Sequence, residues 1–279
     1  MDLKALFDKI VHYVLKKYGE KVLAIIVFGS ATRPRDFVWG LSDIDVLLVV
    51  RDKIDESRRS IEKSVDGFKV SIVVFEKGEV EEAAVAGSPL VHWIKKDSIV
   101  LYYLSEKVLD WLDSLSPRIT SYTLEVFRRS SIVAYGIAAD YYFQGNGRRV
   151  VHHLYHSLRH ALRYRSAKDL NTIPVSDEEI CAVAEKLHSR KVLEVFKELV
   201  EFRRGGKVEI DIADSLLEEV SRVIGGILEF KFPRWIYVKF LLNNIGDPAL
   251  VSYEVERNIV RVVAFLIARR KRKYVRVVI

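Results

Sequence analysis

The chain has 279 residues, 49% hydrophobic and 30% charged, with a formal net charge of +7. That composition is globular and the length allows two domains and a sizeable core, while no apolar run approaches the roughly 18–20 residues needed to span a membrane. Cys181 is the only cysteine, which excludes a disulfide within the chain and a thiolate zinc cluster and makes a reducing cytoplasm the default compartment.

From the N-terminus, Leu3, Leu6, Phe7, Ile10, Val11, Val14 and Leu15 recur at helical spacing, and Gly19 ends that helix. An acid at position 2 and this amphipathic pattern do not read as a signal peptide. Val22–Phe28 and 44–50 are short runs rich in Val and Ile and read as buried strands. Residues 52–64 are polar and helix-compatible. Asp66-Gly67 marks a turn, and Phe68–Phe75 reads as a third strand. Glu79–Ala86 predicts a short helix stopped by Gly87-Ser88-Pro89, and Ile99–Leu104 a further strand.

Beyond about residue 106 the pattern changes. Residues 120–143, 149–167, 177–188 and 190–204 read as helices, with breaks at Gly145-Asn146-Gly147, Asn171–Ser176 and Gly205-Gly206. Ser176-Asp177-Glu178-Glu179 is a helix-start signature. Residues 214–230, 233–243 and 249–272 also read as helical, and Tyr274–Ile279 as a last strand. The expected division is an α/β domain over 1–105 and a mainly helical domain over 106–279. Gln, Met and Cys each occur once while Lys, Arg, Glu and Val abound, a bias that resembles proteins of hyperthermophiles.

The most informative stretch lies between the first two strands. Gly29-Ser30 follows the run Val22–Phe28, and Asp43 and Asp45 open the next run after a loop of twelve residues. Gly29 lets the backbone turn tightly beside a bulky anion, and Ser30 offers a hydroxyl and an amide to a phosphate. Residues two apart on a strand share a face, so Asp43 and Asp45 are expected to project together. Two convergent carboxylates repel unless a cation sits between them, and hard oxygen ligands beside a phosphate site suit magnesium.

Gly-Ser, a variable loop and then Ser42-Asp43-Ile44-Asp45 together resemble the nucleotidyltransferase superfamily that includes polymerase beta. The resemblance implies an α/β (α+β) polymerase beta-like palm followed by a mainly α-helical domain. It implies metal-dependent transfer of a nucleoside monophosphate from a nucleoside triphosphate to an acceptor hydroxyl on a small molecule, a protein or an RNA end. Asp43 and Asp45 would hold Mg2+ or Mn2+. Gly29, Ser30 and Ser42 would lie at the nucleotide, and Arg33, with Arg35 less directly, would balance the triphosphate charge.

One departure stands out. The family usually adds a third carboxylate on the strand after Asp-x-Asp, but Val70-Ser71-Ile72-Val73-Val74 places Ser71 there. A hydroxyl is a poor metal ligand and no base near neutral pH. Glu76 or Asp66 at the strand ends would substitute, or Glu125 or Asp140 of the helical domain would complete the site. Otherwise the protein is a weakly active or inactive nucleotide-binding module, or an RNA-binding factor that uses the basic C-terminus with the palm as a structural platform.

Two further groups are basic. His152, His156, Arg159 and Arg163 form one stripe of a predicted helix. They read either as a polar face or as a substrate wall suited to phosphate, and the arginines argue against a metal there. Arg148 and His153 make an Arg-x4-His pattern that resembles the ribonuclease motif of HEPN-type domains. Residues 231–279 hold eleven Lys or Arg against three acids. The run Arg269-Arg270-Lys271-Arg272-Lys273 reads as a nucleic-acid contact or a solvated helix end, leaving RNA or a partner protein open as partners.

Overall fold

The computed structural model describes residues 3–52, 59–256, 259–268 and 274–279. It divides into two compact units. One comprises Met1–Thr123 with the short segment Val175–Asp177, and the other Leu124–Pro174 with Glu178–Ile279.

The first unit is built on a five-stranded sheet of order β3-β4-β2-β1-β5. Its strands are β1 (Val22–Phe28), β2 (Ile44–Val50), β3 (Ser60–Val65), β4 (Phe68–Glu76) and β5 (Ser98–Tyr103). β2 and β4 pair in parallel and the other neighbours are antiparallel. β1 is buried along its whole length, which is why it reads as a continuous apolar run rather than an alternating one. Helix α1 (Leu3–Tyr18) lays Leu6, Ile10 and Val14 on one face of the sheet, against Ile44, Val46, Val70 and Ile72. On the other face, α2 (Lys77–Ala86), α3 (Pro89–Lys96) and α4 (Glu106–Ser114) pack on Ala24, Ile26, Leu47 and Val49.

One sequence expectation fails in this unit. Within 52–64, read as helix-compatible, residues 60–65 form a strand that hairpins onto β4, while 53–58 lie outside the described residues. The turn is Asp66-Gly67, with φ of 51° and 83°, the positive pair that suits a tight hairpin. Pairing with β4 overrides a weak local preference. The Gly87-Ser88-Pro89 stop is also a start. Gly87 ends α2 with φ 78°, Ser88 stands at the N-cap of α3, and Pro89 occupies its first turn.

The second unit holds α5 from Leu124 onward (the helix spans Ser121–Phe143), α6 (Gly147–Leu170), α7 from Glu178 onward (the helix spans Asp177–Leu187), α8 (Arg190–Gly205), α9 (Ile210–Leu228) and α10 (Trp235–Ile245). A three-stranded antiparallel sheet follows, β6 (Gly246–Glu256), β7 (Ile259–Ala268) and β8 (Tyr274–Val278), in that order. Within 249–272, where a helix is expected, the described residues are strand, in β6 and β7, while 257–258 and 269–272 lie outside the described residues. Val260, Val262, Ala264 and Leu266 are buried while Arg261, Phe265 and Ile267 are exposed, with Val263 also buried on the outer parity, a period of two that the near-continuous apolar run conceals. β-Branched residues favour the strand. One core joins Tyr135, Leu154, Leu158, Phe196, Leu217, Trp235 and Val262. Among the described residues, no helix is long and apolar enough to cross a membrane.

Candidate active site

β1 delivers the chain to Gly29 at one end of the sheet, and residues Gly29–Thr32 form a short 3₁₀ turn. Gly29 is needed there on two counts. Its φ is +79°, and a Cβ would lie 3.0 Å from Asp45 Oδ2. The Thr32 hydroxyl sits 2.7 Å from the Gly29 carbonyl and 2.8 Å from Asp97 Oδ1. Arg33 Nε donates to Asp36 at 2.7 Å, and its guanidinium also meets Asp97. Asp36 is buried and accepts the Asp177 N–H at 3.3 Å. Arg33, expected on a triphosphate, is therefore tied to two carboxylates that brace the turn, while Arg35 is exposed.

The loop after this turn closes on itself before reaching the acids. Ser42 is buried, and its hydroxyl accepts the Val38 N–H at 2.9 Å. Its hydroxyl thus shapes the loop that positions Asp43 and is engaged internally, where the sequence reading put it on the nucleotide. Asp45, on β2, pairs with Phe28 of β1 and Ser71 of β4. Its neighbours Ile44 and Val46 point to the α1 side, so Asp45 faces the opposite side. Burial first, and the nearby Asp43 charge second, raise the Asp45 carboxyl from 3.8 to about 7, against a downward pull from Lys69. Burial thus disfavours the Asp45 carboxylate more than its neighbour Asp43 does.

A hard dication fits this place. Magnesium is commonly held by one or two protein carboxylates and completed by phosphate oxygens. Asp43 and Asp45 supply two carboxylates, and the Gly29 backbone leaves open the space that a side chain would fill. No group of three or more His, Cys, Asp or Glu suited to a metal occurs among the described residues.

Each third-acid candidate has partners of its own. Glu76 pairs with Val50, at the far end of β2 from Asp45, and caps α2 in a reciprocal pair with Glu79. Asp66 sits in the hairpin turn and binds Lys9 of α1 at 2.7 Å. Glu125 pairs with Arg128 and Arg129. Asp140 accepts the Val251 N–H at 2.8 Å and so joins α5 to β6. What stands beside Asp43 is a residue the sequence reading missed, Lys69, whose Nζ lies 3.3 Å from Asp43 Oδ2 and 3.0 Å from Glu62 Oε1. The hydrogen bond to Glu62, and then Asp43, raises the Lys69 pKa.

In the second unit, the stripe on α6 is not a solvated face. His152, Arg159 and Arg163 are buried. The His152 and His156 rings are 4.6 Å apart, Arg203 donates to His152 Nδ1 at 3.3 Å, and Arg163 donates to the Pro174 carbonyl at 3.0 Å. Burial, with Arg203 next, lowers the His152 pKa to about 3, and burial drives His156 well below the usual value. Neutral, interlocked rings of this kind are core groups of the helix packing. His153 of the Arg148–His153 pattern stacks on Tyr141 at 5.3 Å, and burial lowers its pKa to about 4. The basic run Arg269, Arg270, Lys271, Arg272, Lys273 lies outside the described residues.

No protein-family model and no curated protein matches the sequence. Among solved structures, the chain is similar to the spectinomycin adenyltransferase from Enterococcus faecialis, solved with ATP and spectinomycin. The TM-score is 0.54 and the identity 15%, over 81% of this chain and 99% of that one. It is also similar to a nucleotidyltransferase-like protein from Exiguobacterium sibiricum, 14% identical over 91% of this chain and 97% of that one, with a TM-score of 0.34. At 15% identity the first likeness is one of fold, here an α/β unit and a mainly helical second unit.

Proposed function

We propose that the protein is a metal-dependent nucleotidyltransferase that moves a nucleoside monophosphate from a nucleoside triphosphate to an acceptor hydroxyl. The observation that carries this is the meeting of Asp45 with the positive-φ Gly29 turn at the end of β1, with Asp43 close enough to help raise the Asp45 pKa. In this reading Asp43 and Asp45 hold Mg2+ or Mn2+, and the Gly29–Ser30 backbone and the Ser30 hydroxyl cradle the terminal phosphates. The bound ion would neutralise charge on the phosphates and favour loss of the acceptor's proton. Arg33 acts through position: by bracing the turn between Asp36 and Asp97 it fixes where the phosphates sit. Most of the rate then comes from orientation and charge placement.

ATP is the first nucleotide to test and a small-molecule hydroxyl the first acceptor, because the structural neighbour was solved with ATP and spectinomycin. Protein side chains and RNA ends are the other acceptors to test. A second reading has its own support. Ser71 and Lys69, not an acid, stand on the strand beside Asp45 and Asp43, which favours a nucleotide-binding module with little transfer.

The deciding experiment incubates the protein with labelled nucleoside triphosphates, Mg2+ or Mn2+, and separate small-molecule, protein and RNA pools. Transfer is read as label on the acceptor together with released pyrophosphate. Label that appears with wild type and not with Asp45→Ala supports the enzyme. Metal-dependent ATP binding without transfer supports the module. Absence of nucleotide binding refutes both.

A further inference from the structure

The register across β3, β4 and β2 places Glu62 opposite Ser71, and Ser71 opposite Asp45. Cross-strand partners project to the same face. Lys69 lies two residues before Ser71 and Asp43 two before Asp45, so all share the side away from α1. Three strands thereby bring Asp43, Asp45, Lys69 and Glu62 to one corner of the sheet. Lys69 Nζ bridges the second strand to the first and third, 3.3 Å from Asp43 and 3.0 Å from Glu62. All three of these side chains are well exposed, at 39% for Asp43, 49% for Lys69 and 66% for Glu62. Exposed ion pairs contribute little to stability, so the arrangement is better explained by what its charge does to the neighbouring acids.

We propose that Lys69 is a resident cation of the Asp43–Asp45 site, held in place by Glu62, and that its single ammonium charge takes the place of a second divalent ion there. The nucleotide-loaded protein accordingly takes one divalent ion per chain. This rests on the nucleotidyltransferase reading. An ammonium can neutralise Asp43 and donate hydrogen bonds to phosphate oxygens. It has no open coordination position, so it cannot acidify an acceptor hydroxyl as a metal ion does. Glu62, while it holds Lys69, is likewise not available as a base. The chemistry of the site is then that of one exchangeable ion and one tethered charge.

The test is a titration of the full chain with Mn2+, with and without a non-hydrolysable ATP analogue, following free Mn2+ by electron paramagnetic resonance. With the analogue, wild type should bind one Mn2+ and Lys69→Asp two. Without nucleotide, Lys69→Gln should bind its Mn2+ about tenfold more tightly than wild type, because a charge repelling the dication is gone. Lys69 is half-exposed, so Lys69→Gln leaves the core untouched. Two Mn2+ in the wild type, or an affinity unmoved in Lys69→Gln, overturns the proposal. Wild type that binds no Mn2+, or Asp45→Ala that binds it equally well, removes the nucleotidyltransferase reading itself, so the two failures give different results.

Discussion

Replacing Asp45 by Asn should stabilise the metal-free protein, and most strongly at alkaline pH. Asp45 carries a folded-state pKa of about 7 against 3.8 in its ordinary state. The folded protein therefore holds a proton that the unfolded chain has lost between those values. A raised carboxyl pKa contributes stability that is full below about pH 4 and lost as pH climbs through 7. At about 1.4 kcal/mol per pKa unit, the ionised carboxylate costs at most about 4 kcal/mol at pH 8. Water reaching a partly exposed side chain reduces this, and a gain of about 1–2 kcal/mol is expected for Asp45→Asn. The gain should shrink by pH 5. Excess Mg2+ should stabilise the wild type by mass action and leave the variant unmoved, closing the gap. The assay is urea unfolding at pH 5 and pH 8, with chelator or Mg2+, followed by tryptophan emission. Trp39, Trp93 and Trp111 of the four tryptophans lie in the first unit, so the signal is weighted towards it. A variant no more stable than wild type at pH 8 in chelator, or a gain that ignores pH and Mg2+, would refute the electrostatic account.

Gly29→Ala forces a side chain into φ +79° and to 3.0 Å of Asp45 Oδ2. It should cost about 1–2 kcal/mol and weaken ATP binding measured by calorimetry. Acid should loosen the second unit. The His152 pKa of about 3 lies below the ordinary 6.5, so its contribution to stability is full above 6.5 and falls as pH drops towards 3; unfolding curves for the second unit that do not change between pH 7 and pH 4 would contradict this. Trp235→Ala empties a site that is 1% exposed and removes the indole bond to Asp214. It should cost about 3–5 kcal/mol by denaturant midpoint. Ser71→Asp adds a carboxylate in register with Asp45 and Glu62. It is expected to raise generic nucleotidyl transfer in the assay above, and a lowered rate would mean that another acid already serves.

The site motif was legible because its meaning is local. A glycine that must turn, and acids two apart on a buried strand, are read from neighbours in the chain. Lys69 and Glu62 were not legible in the same way. Their relation to Asp43 exists only through the parallel pairing of β2 with β4 and the hairpin that adds β3, and neither pairing leaves a mark in a single segment. Arg33 was read as a phosphate ligand because its carboxylate Asp97 comes 64 residues later, at the end of α3. The α6 stripe failed for a related reason. Histidine and arginine count as surface residues by type, but Tyr155, Arg203 and the Pro174 carbonyl enclose and pair them. In β7 a run apolar at nearly every position carries no period until one face is known to be buried, whereas in β6 Val251, Tyr253 and Val255 alternate with Ser252, Glu254 and Glu256, a period of two open in the sequence.

The segment Val175–Asp177 belongs with the first unit although the residues on both sides of it belong with the second. Its backbone meets the same carboxylate that holds Arg33 against the Gly29 turn. No single scission of the chain therefore releases an intact first unit. A fragment ending at Thr123 leaves Asp36 without the Asp177 amide, in a place where a carboxylate is buried. For recombination or for truncation, the heritable piece that carries the acids is longer than the first hundred or so residues and must include the connection between α6 and α7.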